Sequence, residues 1–275
     1  MKKPVALQLY SVRNETAENF YSVLKSIKQM GYEGVEFAGL HGHTPAEVKD
    51  MLTDIGLVPI SAHVSYDELL ADPEKAANDY ATIGVKYIAI PYLNVDNRPG
   101  NVKYDETVVN MKRFSSILKA NDIQLLYHNH EFEFGIVDEQ FMLDRIYTDF
   151  TSNELQTEID LCWTAVAGIN PAQYLVKYSG RSPVVHFKDF YKDGHAGAKL
   201  YDLIGIKDEA PTEKAAFELR PIGTGMQDFA SLLDAVQVAG CEWIIIEQDE
   251  PAASLGLSPM ESAKLSITNL RKLMQ

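Results

Sequence analysis

An α/β fold in which eight parallel strands close into a (β/α)8 barrel is what this sequence predicts, on three observations. Eight short apolar segments follow one another along the chain: VALQLY, GVEF, VPISAH, VKYIAI, IQLLYH, LQTEIDL, PVVHFK and WIIIEQ. Segments of helical periodicity separate them, the alternation that builds repeated βαβ units on a parallel sheet. The length, 275 residues, matches the roughly 250 residues that one such barrel takes. An open sheet of eight strands is the competing arrangement. A single domain over residues 1–275 is the simplest division, since no interdomain linker appears.

The elements can be justified in order. MKKPVALQLYSV has two lysines and a short apolar run but no long apolar core or cleavage site, so it reads as the first strand rather than a leader. In TAENFYSVLKSIKQMG, Phe20, Val23, Leu24, Ile27 and Met30 recur at helical spacing and Gly31 supplies a C-cap. TPAEVKDMLTDIG opens with Thr44 as N-cap, Pro45 in the first turn and Glu47 placed for a capping box, and ends at Gly56. Gly84 and Gly240 mark similar endings. The Pro, Gly and Asn content of YLNVDNRPGNVKYDE predicts a surface loop bordering the mouth of the barrel. The connection at about 189–225 is too long and irregular for a simple barrel helix, and is expected to cover the site.

Charge narrows the partners. A net charge of -14, from 25 Lys and Arg against 39 Asp and Glu, disfavours nucleic acid and anionic membrane surfaces while leaving room for a local cationic pocket. Cys162 and Cys241, far apart in a chain that needs no staple, read as reduced thiols of a cytoplasmic protein. No apolar run reaches the ~18 residues of a membrane span.

Polar residues collect at the carboxyl ends of the predicted strands, where a barrel of this kind carries its active groups. They are Glu36 in GVEF, His63 in SAH, His128 and His130 in YHNH, Glu158 and Asp160 in TEID, His186 and Lys188 in VHFK, and Glu247 in IIIE. Burying so many ionisable groups unpaired is costly, and a divalent metal among them relieves the cost. Residues two apart on a strand share a face, so Glu158 and Asp160 point together, as do His186 and Lys188. Asp160, His186 and Glu247 end three consecutive strands and are the leading ligands; for any one of them, a hydrogen-bonded plug of the core is the structural alternative. A mixed nitrogen and oxygen set suits manganese, cobalt, zinc or iron, whereas magnesium prefers oxygen alone.

With its strand order and the segments VHFKD, RPIGTG and IIIEQ, the chain resembles the sugar phosphate isomerase/epimerase family, a xylose isomerase-like TIM barrel group, over residues 5–270. The resemblance implies a divalent metal held by Glu, Asp, His and Glu from the fifth to the eighth strand, with the glutamates moving protons on a sugar. Asp160, His186 and Glu247 match three of these positions. The fifth strand departs: where relatives read Glu-Asn-His, this chain has His128-Asn129-His130. His128 is then expected in the ligand position, with Glu133, Glu131 or Glu158 returning the lost carboxylate. Trp163 stands where a substrate-side histidine is common.

The expected activity is a metal-dependent isomerase or epimerase that moves a proton beside the carbonyl of a sugar or keto-sugar, phosphorylated or not. Glu247, Glu158, His128 and Lys188 are its expected catalytic groups, with Lys188 stabilising enediolate charge or pairing with Asp189. Glu36, His63, His130, Trp163 and Arg220 are expected to bind substrate, Arg220 reaching a hydroxyl or phosphate although PIGTG matches no phosphate-loop fingerprint. Tyr10, Phe37, Trp163 and Phe187 are candidates for an apolar wall. The alternatives are a metal-dependent lyase or hydrolase acting on 3-keto-glycosides and a non-catalytic sugar-binding barrel. Self-association is also expected.

Overall fold

In the computed structural model, which describes residues 3–193 and 217–275, side-chain parity along the strands explains what fills the barrel. The strands are β1 Val5–Gln8, β2 Gly34–Phe37, β3 Val58–His63, β4 Tyr87–Ile90, β5 Gln124–His128, β6 Gln156–Asp160, β7 Val184–Phe187 and β8 Trp243–Ile246. Each pairs parallel with the next, and β8 returns to β1, so the sheet closes.

Alternate residues turn inward. Ala6, Ile60, Ala89, Leu126, Val184 and Ile245 form a dry cluster, with Tyr87 and Trp243 packed on it. Two positions further along four of these strands come Gln8, His128, His186 and Glu247, so an aliphatic floor underlies a polar layer. The opposite parity, including Leu7, Val35, Phe37, Leu125, Tyr127, Val185, Phe187, Ile244 and Ile246, joins the cluster beneath the helices. Phe37 meets Tyr80 and Phe187 meets Phe229 there, which removes both from the expected apolar wall of the site.

One strand breaks the alternation. Val35 pairs with Pro59 but Glu36 pairs with Ser61, leaving Ile60 as an extra residue. Such a bulge re-aims the side chains after it, and here Ser61 and His63 both reach inward groups of the polar layer. Gly34 faces the same place: a Cβ there would lie 2.9 Å from Cγ1 of Ile60 and 2.8 Å from the carbonyl oxygen of Val58.

The helices follow their caps. Arg13–Met30 starts three residues before the expected segment and is kinked at Asn19, then stops at left-handed Gly31. Pro45–Ile55 has the predicted capping box of Thr44 and Glu47. Two strands, β1 and β8, stop two residues before their predicted segments end. Gln8 accepts a hydrogen bond from the Tyr10 N–H and turns Leu9–Val12 into a 3-10 helix, while β8 ends one residue before Glu247. The two ends of the long connection form an antiparallel pair, Asp189–Lys192 with Phe217–Arg220; residues 194–216 of the expected cover lie outside the described residues. Among the described residues no helix is long and apolar enough to cross a membrane.

Candidate active site and metal centre

The polar layer holds two groups of side chains that share His128 and His186. In each, ligand atoms lie within 4.8 Å of one another: His63, His128, Glu158 and His186 form one, and His128, Asp160, His186 and Glu247 the other.

The first group gathers around two buried carboxylates. Glu158 Oε2 lies 2.8 Å from His63 Nε2 and 3.7 Å from His128 Nδ1, and Glu158 Oε1 is 3.6 Å from His186 Nε2. Glu36 Oε1 accepts from Gln8 at 2.6 Å, meets His186 Nε2 at 2.8 Å and His63 Nε2 at 3.2 Å; its other oxygen accepts from Ser61. Burial and the Glu158 charge push the Glu36 carboxyl up, whereas the His186 and His63 charges overcome burial and hold Glu158 well down. Burial opposes charge on His63 and His186 too, but Glu36 and Glu158 raise both. For His128, burial and the neighbouring imidazoles act together and keep the ring neutral.

The second group has a cation of its own. Lys188 Nζ, fully buried, lies 2.9 Å from Glu247 Oε2, 3.3 Å from Asp160 Oδ2 and 3.2 Å from both oxygens of Asp249. Those three carboxylates outweigh burial and hold the ammonium charged. Glu247 Oε2 also meets His186 Nδ1 at 2.8 Å. Lys188 and His186 keep the Glu247 carboxyl well below its usual range despite burial. In Asp249, burial and the Glu247 and Asp160 charges prevail over Lys188, and the carboxyl is pushed up to about 7. Asp160 further caps the short helix Leu161–Val166 through the Trp163 N–H at 2.8 Å.

The YHNHEFEF segment has a separate task for nearly every residue. Tyr127 faces outward and donates its hydroxyl to Glu133 at 2.8 Å; the other Glu133 oxygen accepts from the His130 N–H at 2.8 Å. Glu133 therefore lies outside both metal-competent groups and fixes the loop instead. The Asn129 side chain splices β5 to β6, accepting from the Asp160 N–H at 2.9 Å. His130 stacks on Phe132, and the Arg98 guanidinium lies 3.7 Å from the centroid of the same ring.

A cavity of about 360 Å³ opens above these groups, lined by Tyr10, Tyr92, His63, His128, His130, Glu247 and Asp249 among others. Tyr92 is the first residue of the predicted mouth loop, and Pro91 just before it also lines the cavity. Trp163 lies beneath, with Lys188 Nζ 5.3 Å from its ring centroid. Arg220 is not brought to the cavity: it pairs with Glu218 through Nε at 2.8 Å, donates to the Thr224 carbonyl and packs over Tyr191. The expected Lys188–Asp189 pair is also absent. Asp189 accepts instead from Gly223, Gly225, Gln227 and Phe190 backbone N–H groups at 2.8–3.1 Å. A Cβ at Gly225 would overlap its carboxylate, which explains the glycines of RPIGTG. Gln8, Ser61 and Asp249 escaped the sequence reading; the step of two residues along β1 was the signal for Gln8.

These side chains fit a divalent transition metal. His128 Nδ1, Glu158 Oε1 and Asp160 Oδ2 are buried and have no hydrogen-bond partner among the described residues, and imidazole with carboxylate is a donor set for zinc, iron, cobalt or manganese. The chain belongs to the xylose isomerase-like TIM barrel family, whose model matches residues 24–273. Solved structures agree in fold. A sugar phosphate isomerase/epimerase from Parabacteroides distasonis is 20% identical, with a TM-score of 0.75, over 98% of this chain and 98% of that one. The probable 3-DHS dehydratase AsbF from Bacillus anthracis is 12% identical, with a TM-score of 0.73, over 98% of each chain. The IOLI protein, solved with a zinc atom, is 15% identical, with a TM-score of 0.68, over 99% of this chain and 98% of that one. No curated protein matches the sequence significantly.

Proposed function

We propose that this protein is a metal-dependent isomerase or epimerase of a sugar or keto-sugar, acting by proton transfer next to a carbonyl. The observation that carries this reading is the coincidence, at one cavity, of a metal-competent histidine and carboxylate layer with the acid–base candidates Glu247 and Asp249. A cavity of about 360 Å³ suits a small polyol. A divalent ion held by residues from these groups would polarise a carbonyl and acidify an adjacent hydroxyl.

The chain's own side chains support the remaining steps. Lys188 holds Glu247 as an anion, ready to accept a hydrogen bond from a sugar hydroxyl. Asp249, with its carboxyl pushed up to about 7, can take a proton from carbon and return it near neutral pH. Tyr10 and Tyr92 border the same space. His128, kept neutral by burial, has a free lone pair for a ligand.

A lyase reading is favoured by one observation, the histidine that replaces the fifth-strand glutamate. It leaves the cavity's two buried carboxylates, Glu247 and Asp249, on the loop after β8, with the exposed Glu68 its other lining acid, and elimination needs only one base on carbon. The probable dehydratase among the fold neighbours carries the same suggestion. Incubation of the metal-loaded protein with hexoses, inositol ketones and 3-keto-glucosides in heavy water separates the readings. Deuterium entering beside the carbonyl with the skeleton intact supports isomerase or epimerase, and an enone product supports lyase. Binding without exchange across the panel would reject both in favour of a sugar-binding barrel.

A further inference from the structure

Although the two groups overlap, they do not offer a metal the same environment. On the Asp160 and Glu247 side a positive charge is already built in. Lys188 Nζ touches Asp160 Oδ2, Glu247 Oε2 and both Asp249 oxygens, and it is too deeply buried to withdraw into solvent. The other Asp160 oxygen is occupied by the Trp163 N–H, and Glu247 Oε2 also meets His186 Nδ1. A dication here would displace hydrogen bonds and sit against an ammonium.

On the other side, among the described residues no lysine or arginine makes an ion pair with Glu36 or Glu158. His63 Nε2, His186 Nε2 and His128 Nδ1 all face these carboxylates. Two carboxylates, Glu158 in the group and Glu36 beside it, are thus met by imidazoles alone. The His186–Glu247 contact completes the argument. A ligating histidine commonly donates its other N–H to a carboxylate, which fixes the tautomer; with Nδ1–H directed at Glu247, the lone pair of Nε2 points into the histidine group. His128 Nδ1 and Glu158 Oε1 are buried there without hydrogen-bond partners among the described residues; Asp160 Oδ2 on the other side also lacks one, but the Lys188 ammonium faces it at 3.3 Å.

We infer that a zinc-type divalent metal is held by His63, His128, Glu158 and His186, with Glu247 orienting His186 from outside the ligand set and Lys188 serving as the fixed cation of the Asp160 side. This rests on the metal-dependent reading above and moves the ligand set away from Asp160 and Glu247. His63 thereby becomes a metal ligand, brought inward by the Ile60 bulge.

The test uses the full chain, free of any affinity tag and loaded with zinc. Competition titration and elemental analysis should find one ion in the wild type, and Asp160→Asn should bind within about tenfold of it. His63→Ala and Glu158→Gln should lose more than the roughly 10–100-fold that removal of an outer partner costs. X-ray absorption of the zinc-loaded wild type gives a readout that depends on no variant's folding: three imidazoles are expected, whereas the Asp160 and Glu247 group supplies two. Two imidazoles, or zinc lost from Asp160→Asn but kept by Glu158→Gln, would overturn the assignment and leave the metal-dependent reading standing. A wild type that takes up no divalent metal would overturn both.

Discussion

Glu36 and Glu158 lie as deep in the barrel as Glu247 and Asp249, yet the two halves of the polar layer neutralise their carboxylates in different ways. Beside β8, Lys188 bridges Asp160, Glu247 and Asp249 in contacts of 2.9–3.3 Å. Around β3, β5 and β6, neutralisation falls to imidazoles, which can exchange their protons for a metal. The difference teaches that a cluster of acids and histidines is not in itself a metal site. A resident ammonium marks the half where the charge is already met, and its absence among the described residues marks the half where an exchangeable ion belongs.

The largest effect that can sharpen this comparison is on rate. Asp249→Asn should lower carbon-proton exchange by about 10²–10⁴-fold, the usual contribution of a positioned acid or base, while zinc content stays unchanged. Exchange followed by proton NMR and metal by elemental analysis give the two readings together. If the metal leaves with Asp249, the halves are not separate.

Removing the resident cation should destabilise next most. Lys188→Met leaves three buried carboxylates without their partner, and an orphaned buried charge costs about 3–5 kcal/mol. Denaturant unfolding at neutral pH measures it. A change below about 1 kcal/mol, the scale of an exposed ion pair, would mean that water or another group already satisfies the acids.

Stripping the metal probes the opposite half. At a thousandfold excess of zinc over its dissociation constant, binding should add about 4 kcal/mol to stability, and Glu158→Gln should abolish that increment. Calorimetry with and without a chelator checks it. An increment that survives in Glu158→Gln places the ion elsewhere.

The smallest effect is expected at Arg220. Its guanidinium is engaged by Glu218 and Thr224, so Arg220→Ala should alter KM for any accepted sugar by less than about twofold. A large rise in KM, confined to phosphorylated sugars, would show that Arg220 leaves these partners to bind substrate.

Much of this was legible in the sequence because a barrel repeats one rule. The eight apolar segments, the glycine endings and the polar residues at six of the eight strand termini follow from side-chain period and capping, and that brought Glu36, His63, His128, Glu158, Asp160, His186, Lys188 and Glu247 to one layer. What escaped depends on exceptions or on contacts distant in sequence. The extra residue Ile60 shifts β3 by one, so no parity count foretells that the adjacent residues Ile60 and Ser61 both turn inward, with His63 on the face of Ser61. Lys188 seemed paired with its neighbour Asp189, but a buried carboxylate surrounded by four backbone N–H groups needs no lysine. Asp249 follows the end of β8, where periodicity no longer constrains direction. Glu133 looked like a replacement ligand because its distance from His128 is short in sequence, whereas the turn of Phe132–Phe134 points it back at Tyr127.

The most direct test of the account is a crystal of the zinc-loaded protein measured on both sides of the zinc absorption edge. The account predicts a single anomalous peak bounded by His63 Nε2, His128 Nδ1, Glu158 and His186 Nε2, with Lys188 still bridging Asp160 and Glu247. A peak between Asp160 and Glu247, with the Lys188 ammonium displaced, would contradict it.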